Sequence, residues 1–144
     1  DDAESWCGII ADGHHVHPVS LRVAIAAKAR GKMVLVTDAM PPVGADSPEY
    51  KLNGETIVVK DGVCQTASGT LAGSALDMAG AVRNAVEMLH LPLDEAARMA
   101  STYPADFLGL GASHGRIAAG YQAGLVALDA DYRVRQSWIG GVGN

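Results

Sequence analysis

The sequence predicts an α/β fold, and three observations carry that reading. Two short apolar runs with the composition of buried parallel strands flank a helix-patterned segment, and each run stops at an aspartate. Residues 50–66 alternate in polarity and turn at Asn53-Gly54 and Asp61-Gly62, strong hairpin signals that mark a small antiparallel meander. From Gly115 to Gly141 short apolar stretches alternate with glycine turns and show no helical period, which marks strands of a separate small sheet.

Taken in order, residues 7–11 (Cys-Gly-Ile-Ile-Ala) read as a strand buried on both faces, ending at Asp12-Gly13. A helix should follow. Pro18 suits its first position, Leu21, Ala24, Ile25 and Lys28 recur on one face, and Gly31 suits a left-handed residue past the last turn. Residues 33–37 repeat the strand pattern and stop at Asp38. Such a strand-helix-strand unit joins parallel strands with a right-handed crossover. It places Asp12 and Asp38 just beyond the C-terminal strand ends, the edge where α/β proteins bind ligands. Pro41 to Gly44 form a loop. A second loop, residues 68–73, leads to Ser74 as a helix N-cap, followed by an apolar stripe of Leu76, Ala79, Val82, Val86 and Leu89. Pro92 opens a further helix carrying Ala96, Ala97 and Ala100 towards Pro104. The chain holds no internal repeat and no low-complexity tract.

Composition narrows the function classes. The 144 residues are 49% hydrophobic and 19% charged, ordinary for a globular chain. A net charge of -5 and the absence of a Lys/Arg stripe argue against a nucleic-acid partner. No apolar run approaches the ~20 residues that span a bilayer, and the acidic start is unlike a signal peptide, so a cytoplasmic protein without membrane partners is expected. Cys7 and Cys64 sit in strand patterns outside any metal-ligand spacing and are expected to be buried, reduced thiols. The chain opens without Met and enters a strand almost at once, so it is expected to be a piece of a longer protein.

Asp38 is the sharpest candidate for chemistry. A carboxylate at the mouth of a buried strand is partly desolvated and suited to taking and returning a proton, although an Asp that merely caps the turn into Pro41-Pro42 weighs equally on spacing alone. The run Asp12-Gly13-His14-His15-Val16-His17 concentrates three of the five histidines. His15 and His17 match the alternate spacing of a metal-binding pair, against the simpler reading that His17 caps the helix starting at Pro18. The glycine-flanked loop from Gly69 to Gly73 could cradle an anion at a helix start, against the reading of a plain connector.

Three blocks, Ile9-Ile10-Ala11-Asp12-Gly13-His14-His15-Val16, Leu35-Val36-Thr37-Asp38-Ala39-Met40 and Gly69-Thr70-Leu71-Ala72-Gly73-Ser74, stand in an order that resembles the N-acetylglucosamine-6-phosphate deacetylases, sugar deacetylases of the amidohydrolase superfamily. Arg98-Met99-Ala100-Ser101, Pro104-Ala105 and Gly115-Arg116-Ile117 extend the resemblance over nearly the whole chain. It implies the C-terminal part of a (β/α)8 barrel plus strands of a small β-sandwich domain. Residues 1–110 would supply the last two barrel strands, the meander and closing helices, and residues 111–144 the sandwich strands. It implies hydrolysis of the acetamide of N-acetylglucosamine 6-phosphate to glucosamine 6-phosphate and acetate in amino-sugar catabolism. Asp38 would move a proton from water to the leaving amine, and Asp12, Gly13, His14, His15, Leu71, Ala72 and Gly73 would contact the substrate. The implied cofactor is a divalent metal, with zinc the expected ion, whose Glu and His ligands lie upstream of this chain, so no metal ligand is assigned here. The main phosphate-binding Arg is also upstream, which leaves Arg22 and Arg30 unassigned. A homo-oligomer is implied, a dimer at full length. Gly124 departs from the Asp or Asn common at that place in the family. Two rival readings are a catalytically inactive fragment or sugar-phosphate-binding module, and an amidohydrolase of dihydroorotase-like or dipeptidase-like specificity. The isolated chain is expected to be inactive, with an unpaired apolar edge at residues 7–11 that needs an upstream segment or self-association.

Overall fold

In the computed structural model, which describes residues 2–144, β1 (Cys7–Ile10) pairs in parallel with β2 (Met33–Val36), placing Ile9 opposite Leu35. Between them runs α1 (Pro18–Ala27). Pro18 takes the first helical position as expected, and the His17 Nδ1 accepts the Val19 N–H at 3.3 Å, so His17 is the helix cap. Gly31 has φ +87, the left-handed turn the sequence called for. Each strand stops one residue before the end of its apolar run, and Ala11 beyond β1 is still fully buried.

The meander forms a four-stranded antiparallel sheet of β3 (Glu49–Leu52), β4 (Glu55–Lys60), β5 (Val63–Gln65) and β6 (Leu71–Ser74). Asn53 and Asp61 have positive φ, as do Gly54 and Gly62 after them, which is the backbone that tight hairpins of this hand require. β6 is a correction, since residues 71–74 were expected in a loop leading into a helix. Ser74 is not a helix cap, because α2 (Met78–Glu87) begins three residues later behind Asp77, whose Oδ1 accepts the Gly80 N–H at 2.6 Å. The reading of Gly69 to Gly73 as an anion cradle falls with it, since no helix starts there.

Three helices cover β2: α2, α3 (Leu93–Ala100) and α4 (Thr102–Phe107). On α2 the buried face is Ala81, Val82 and Ala85, continued by Leu76 and Leu89 at its flanks, while Ala79 and Val86 are only half-buried. On α3 Ala96 and Met99 are buried and Ala97 is exposed. These side chains close over Leu21, Met33 and Leu35 in one core, where each large apolar side chain contributes about 1.5–3 kcal/mol of transfer free energy. The Asn84 Nδ2 donates to the Ala11 carbonyl at 2.8 Å and so ties α2 to the end of β1. The tail forms a three-stranded antiparallel sheet of β7 (Leu125–Leu128), β8 (Val134–Ile139) and β9 (Val142–Gly143). Cys64 is buried as expected, but Cys7 is exposed, because β1 is hydrogen-bonded to a strand on one side only. Among the described residues no helix is long and apolar enough to cross a membrane.

Candidate functional site

Past the end of β1 the chain doubles back on Asp12. Gly13 takes φ +78, and the Asp12 Oδ1 accepts the N–H groups of His14 at 2.9 Å and His15 at 3.0 Å. The other oxygen, Oδ2, lies 2.6 Å from the His15 Nδ1. Only 3% of the Asp12 side chain is exposed. Burial pushes its carboxyl up, but the N–H bonds from His15 and His14 and the His15 ring outweigh that effect and hold it below the ordinary carboxylate value.

The far nitrogen of the same ring, Nε2, faces the Asp38 Oδ2 at 3.4 Å, an ion-pair distance longer than an ordinary hydrogen bond. Asp38 is 49% exposed and has φ 54, a left-handed backbone uncommon for a residue with a side chain. The segment that imposes it is β6. The Ser74 N–H donates to the Asp38 carbonyl at 2.9 Å, the Met40 N–H donates to the Ser74 carbonyl at 3.1 Å, and the Ser74 hydroxyl donates to the Thr37 carbonyl at 2.5 Å. Ser74 is fully buried, so these bonds are made out of reach of water. Next to it, Gly73 takes φ +106 over the Met40 side chain. The Ala72 carbonyl accepts the Tyr50 hydroxyl at 3.1 Å. Asp38 also acts on its surroundings: burial and then the Asp38 charge push the Cys64 thiol up, and burial followed by the charges of Cys64 and Asp38 does the same to the Tyr50 hydroxyl.

Asp12, His15 and Asp38 are therefore brought into one line, with the strand carrying Leu71, Ala72 and Gly73 alongside the Asp38–Met40 segment. Leu71 is exposed, Ala72 half-buried and Gly73 buried. His14 is exposed and its ring lies over the Asp61-Gly62 turn, with its Nε2 3.9 Å from where a Cβ on Gly62 would stand. His15 and His17 do not form a metal pair, since the Nδ1 atoms of the two rings are engaged separately, by Asp12 and by the Val19 N–H. Among the described residues no three His, Cys, Asp or Glu side chains converge to hold a metal ion. Arg22 donates to the Met88 carbonyl, and Arg30 pairs with Glu95 beside a cavity of about 350 Å³. Glu95, Arg98 and Tyr103 line that cavity too and bind one another, which makes it a structural network.

Reading the sequence missed Ser74 as the clamp on Asp38, and Tyr50 as the partner of Ala72, because both act across more than twenty residues of chain. The role of Asp12 towards His15 was within reach. An aspartate whose side chain accepts the N–H groups two and three residues on is a local turn motif, and Asp-Gly-His-His has the right spacing for it.

The chain matches the model of the Amidohydrolase family over residues 1–142. It is 44% identical over 97% of its length to the N-acetylgalactosamine-6-phosphate deacetylase of Escherichia coli O157:H7, covering 37% of that protein. It is 38% identical over 92% of its length to the N-acetylglucosamine-6-phosphate deacetylase of Vibrio furnissii, covering 33% of it. The crystal structure of N-acetylglucosamine-6-phosphate deacetylase from Pasteurella multocida superposes on 99% of the chain with a TM-score of 0.92 at 37% identity, and the chain covers 38% of that structure. The chain thus spans about a third to two fifths of the length of these three relatives.

Proposed function

The chain belongs to the amidohydrolase family, and on that premise we propose that the protein carrying it deacetylates N-acetylglucosamine 6-phosphate, releasing glucosamine 6-phosphate and acetate. One observation carries the reading: the half-exposed Asp38 carboxylate at the end of β2, backed by His15 and through it by the buried Asp12. Asp38 takes a proton from the attacking water and passes it to the sugar nitrogen as the amide C–N bond breaks, a general acid–base role. Leu71 to Gly73 and the Gly13 to His15 turn form the wall against which the sugar lies. In this proposal β1 and β2 are the last two strands of the barrel, and β7 to β9 belong to the small sandwich domain.

The family generally works with a divalent metal, and zinc is the ion proposed. His15 and Asp38 alone do not make a coordination set, and the ligands are proposed to lie on residues outside this chain.

A second reading changes the epimer. The Escherichia coli relative named for N-acetylgalactosamine 6-phosphate is 44% identical to this chain, and the Vibrio furnissii relative named for the glucosamine sugar is 38% identical. Acetate release measured on both sugar phosphates with the full-length protein decides. The ratio of kcat/KM names the epimer, and turnover of neither sinks the deacetylase in favour of a sugar-phosphate-binding module.

A further inference from the structure

We propose that Asp12 is a positioning residue that holds the proton of the neutral His15 ring on Nδ1 and thereby leaves Nε2 as its open, proton-accepting site on the Asp38 side. The relevance to catalysis rests on the deacetylase reading above; the tautomer does not.

Hydrogen-bond capacity decides which ring nitrogen holds the proton. An ionised carboxylate only accepts. The Asp12 Oδ1 is occupied by two backbone N–H groups, and Oδ2 lies 2.6 Å from the His15 Nδ1. With 3% of the side chain exposed, water cannot substitute for either set of donors. The short contact is satisfied only when Nδ1 carries the proton, so the variable site of the ring is Nε2, the atom 3.4 Å from the Asp38 Oδ2. Whatever proton His15 shares with its surroundings is therefore shared on the Asp38 side. The turn is itself anchored, because the Ala11 carbonyl just before Asp12 accepts from Asn84 on α2. The ring can neither flip nor exchange its nitrogens without breaking the Asp12 contact.

An Asp12→Asn substitution inverts this logic while keeping the shape. The new amide oxygen must still accept the two backbone N–H groups, which turns its NH2 towards the His15 Nδ1. A donor there forces the neutral ring into the opposite tautomer, with the proton on Nε2. Wrong-tautomer and orienting-partner substitutions of this kind cost on the order of tenfold or more in turnover.

The test is nitrogen NMR on the full-length protein labelled with 15N-histidine, with the His15 signals assigned by their loss in His15→Asn, alongside steady-state kinetics. The expected result is a protonated Nδ1 in the wild type across the neutral range. In folded Asp12→Asn that proton is lost, and kcat falls at least about tenfold with KM changed less than about threefold. A wild-type Nδ1 without its proton overturns the proposal even if the variant does not fold. So does a folded variant that keeps the wild-type signature, or one that switches tautomer with kcat unchanged. A wild type that turns over neither sugar phosphate fails the deacetylase reading but leaves the Nδ1 measurement decisive for the pairing.

Discussion

Gly73 sits so close to Met40 that a Cβ built on it would stand 2.3 Å from the Met40 Cγ and 2.8 Å from its Sδ, with the Asp38 carbonyl oxygen 3.2 Å away. The glycine is thus the point where the meander sheet presses on the segment that carries the proposed acid/base. Its φ of +106 closes off the alternative of turning a side chain elsewhere.

Gly73→Ala is therefore expected to destabilise the protein by about 1–3 kcal/mol or more, from the clash and the backbone strain together. The Cγ of Met40 is not the free end of its side chain, so relief must come from moving β6 or residues 38–40, and turnover should fall with stability. Urea unfolding and kcat on the purified variant check both. A midpoint and a kcat within error of wild type would show that the Asp38 backbone does not depend on this contact.

Asp38→Asn should keep the fold, because Asn tolerates the φ of 54 found there, and should lose about 100- to 10,000-fold in kcat, because an amide cannot take the water proton. Turnover within about threefold of wild type would remove Asp38 from the proposed role.

What could be read from the sequence was whatever the chain settles locally. Asn53-Gly54 and Asp61-Gly62 announced their turns, Pro18 its helix start, and Asp12 and Asp38 their places at strand ends. The errors share one cause, competition decided at long range. Ser74 and Asp77 are both good helix caps ahead of the same apolar stripe, and Asp77 prevails because β6 pairs with β5 and with Ala39, which consumes Ser74 in sheet bonds. His15 and His17 looked like a pair on spacing, but Asp12 turns one ring inward while the helix start takes the other. The His15–Asp38 approach joins two strand ends, and only the parallel β1–β2 register creates it.

His15→Asn separates two roles for this ring. As a residue that faces Asp38 and the sugar, His15 should be dispensable for the metal, so metal content by mass spectrometry should match wild type while kcat/KM falls. Stability should drop by about 1–3 kcal/mol, since the buried Asp12 Oδ2 loses its partner. Loss of the ion from this variant would instead make His15 a ligand.

Glu95 supplies an acid-sensitive part of the stability. Its Oε1 accepts the Tyr103 hydroxyl at 2.9 Å, and its Oε2 accepts from Arg98 at 2.8 Å and Arg30 at 3.0 Å. Burial pushes the carboxyl up, but Arg98, Tyr103 and Arg30 outweigh it and hold the group below its ordinary value of 4.5. A carboxylate whose pKa is lower folded than unfolded stabilises the fold above the unfolded value, and that stabilisation is lost as the pH falls through the folded one. Glu95→Gln keeps the size but turns an NH2 towards the guanidinium groups or the Tyr103 hydroxyl. The variant should be less stable by about 1.5–3 kcal/mol at neutral pH, the worth of hydrogen bonds to a charged group. The gap should narrow below about pH 4.5, where the carboxylate begins to take up a proton in the unfolded wild-type chain while the folded one still resists it. Denaturant unfolding of both proteins at several values between about pH 3 and 7 measures that gap, and a difference that stays constant across the range would mean that Glu95 contributes by packing alone.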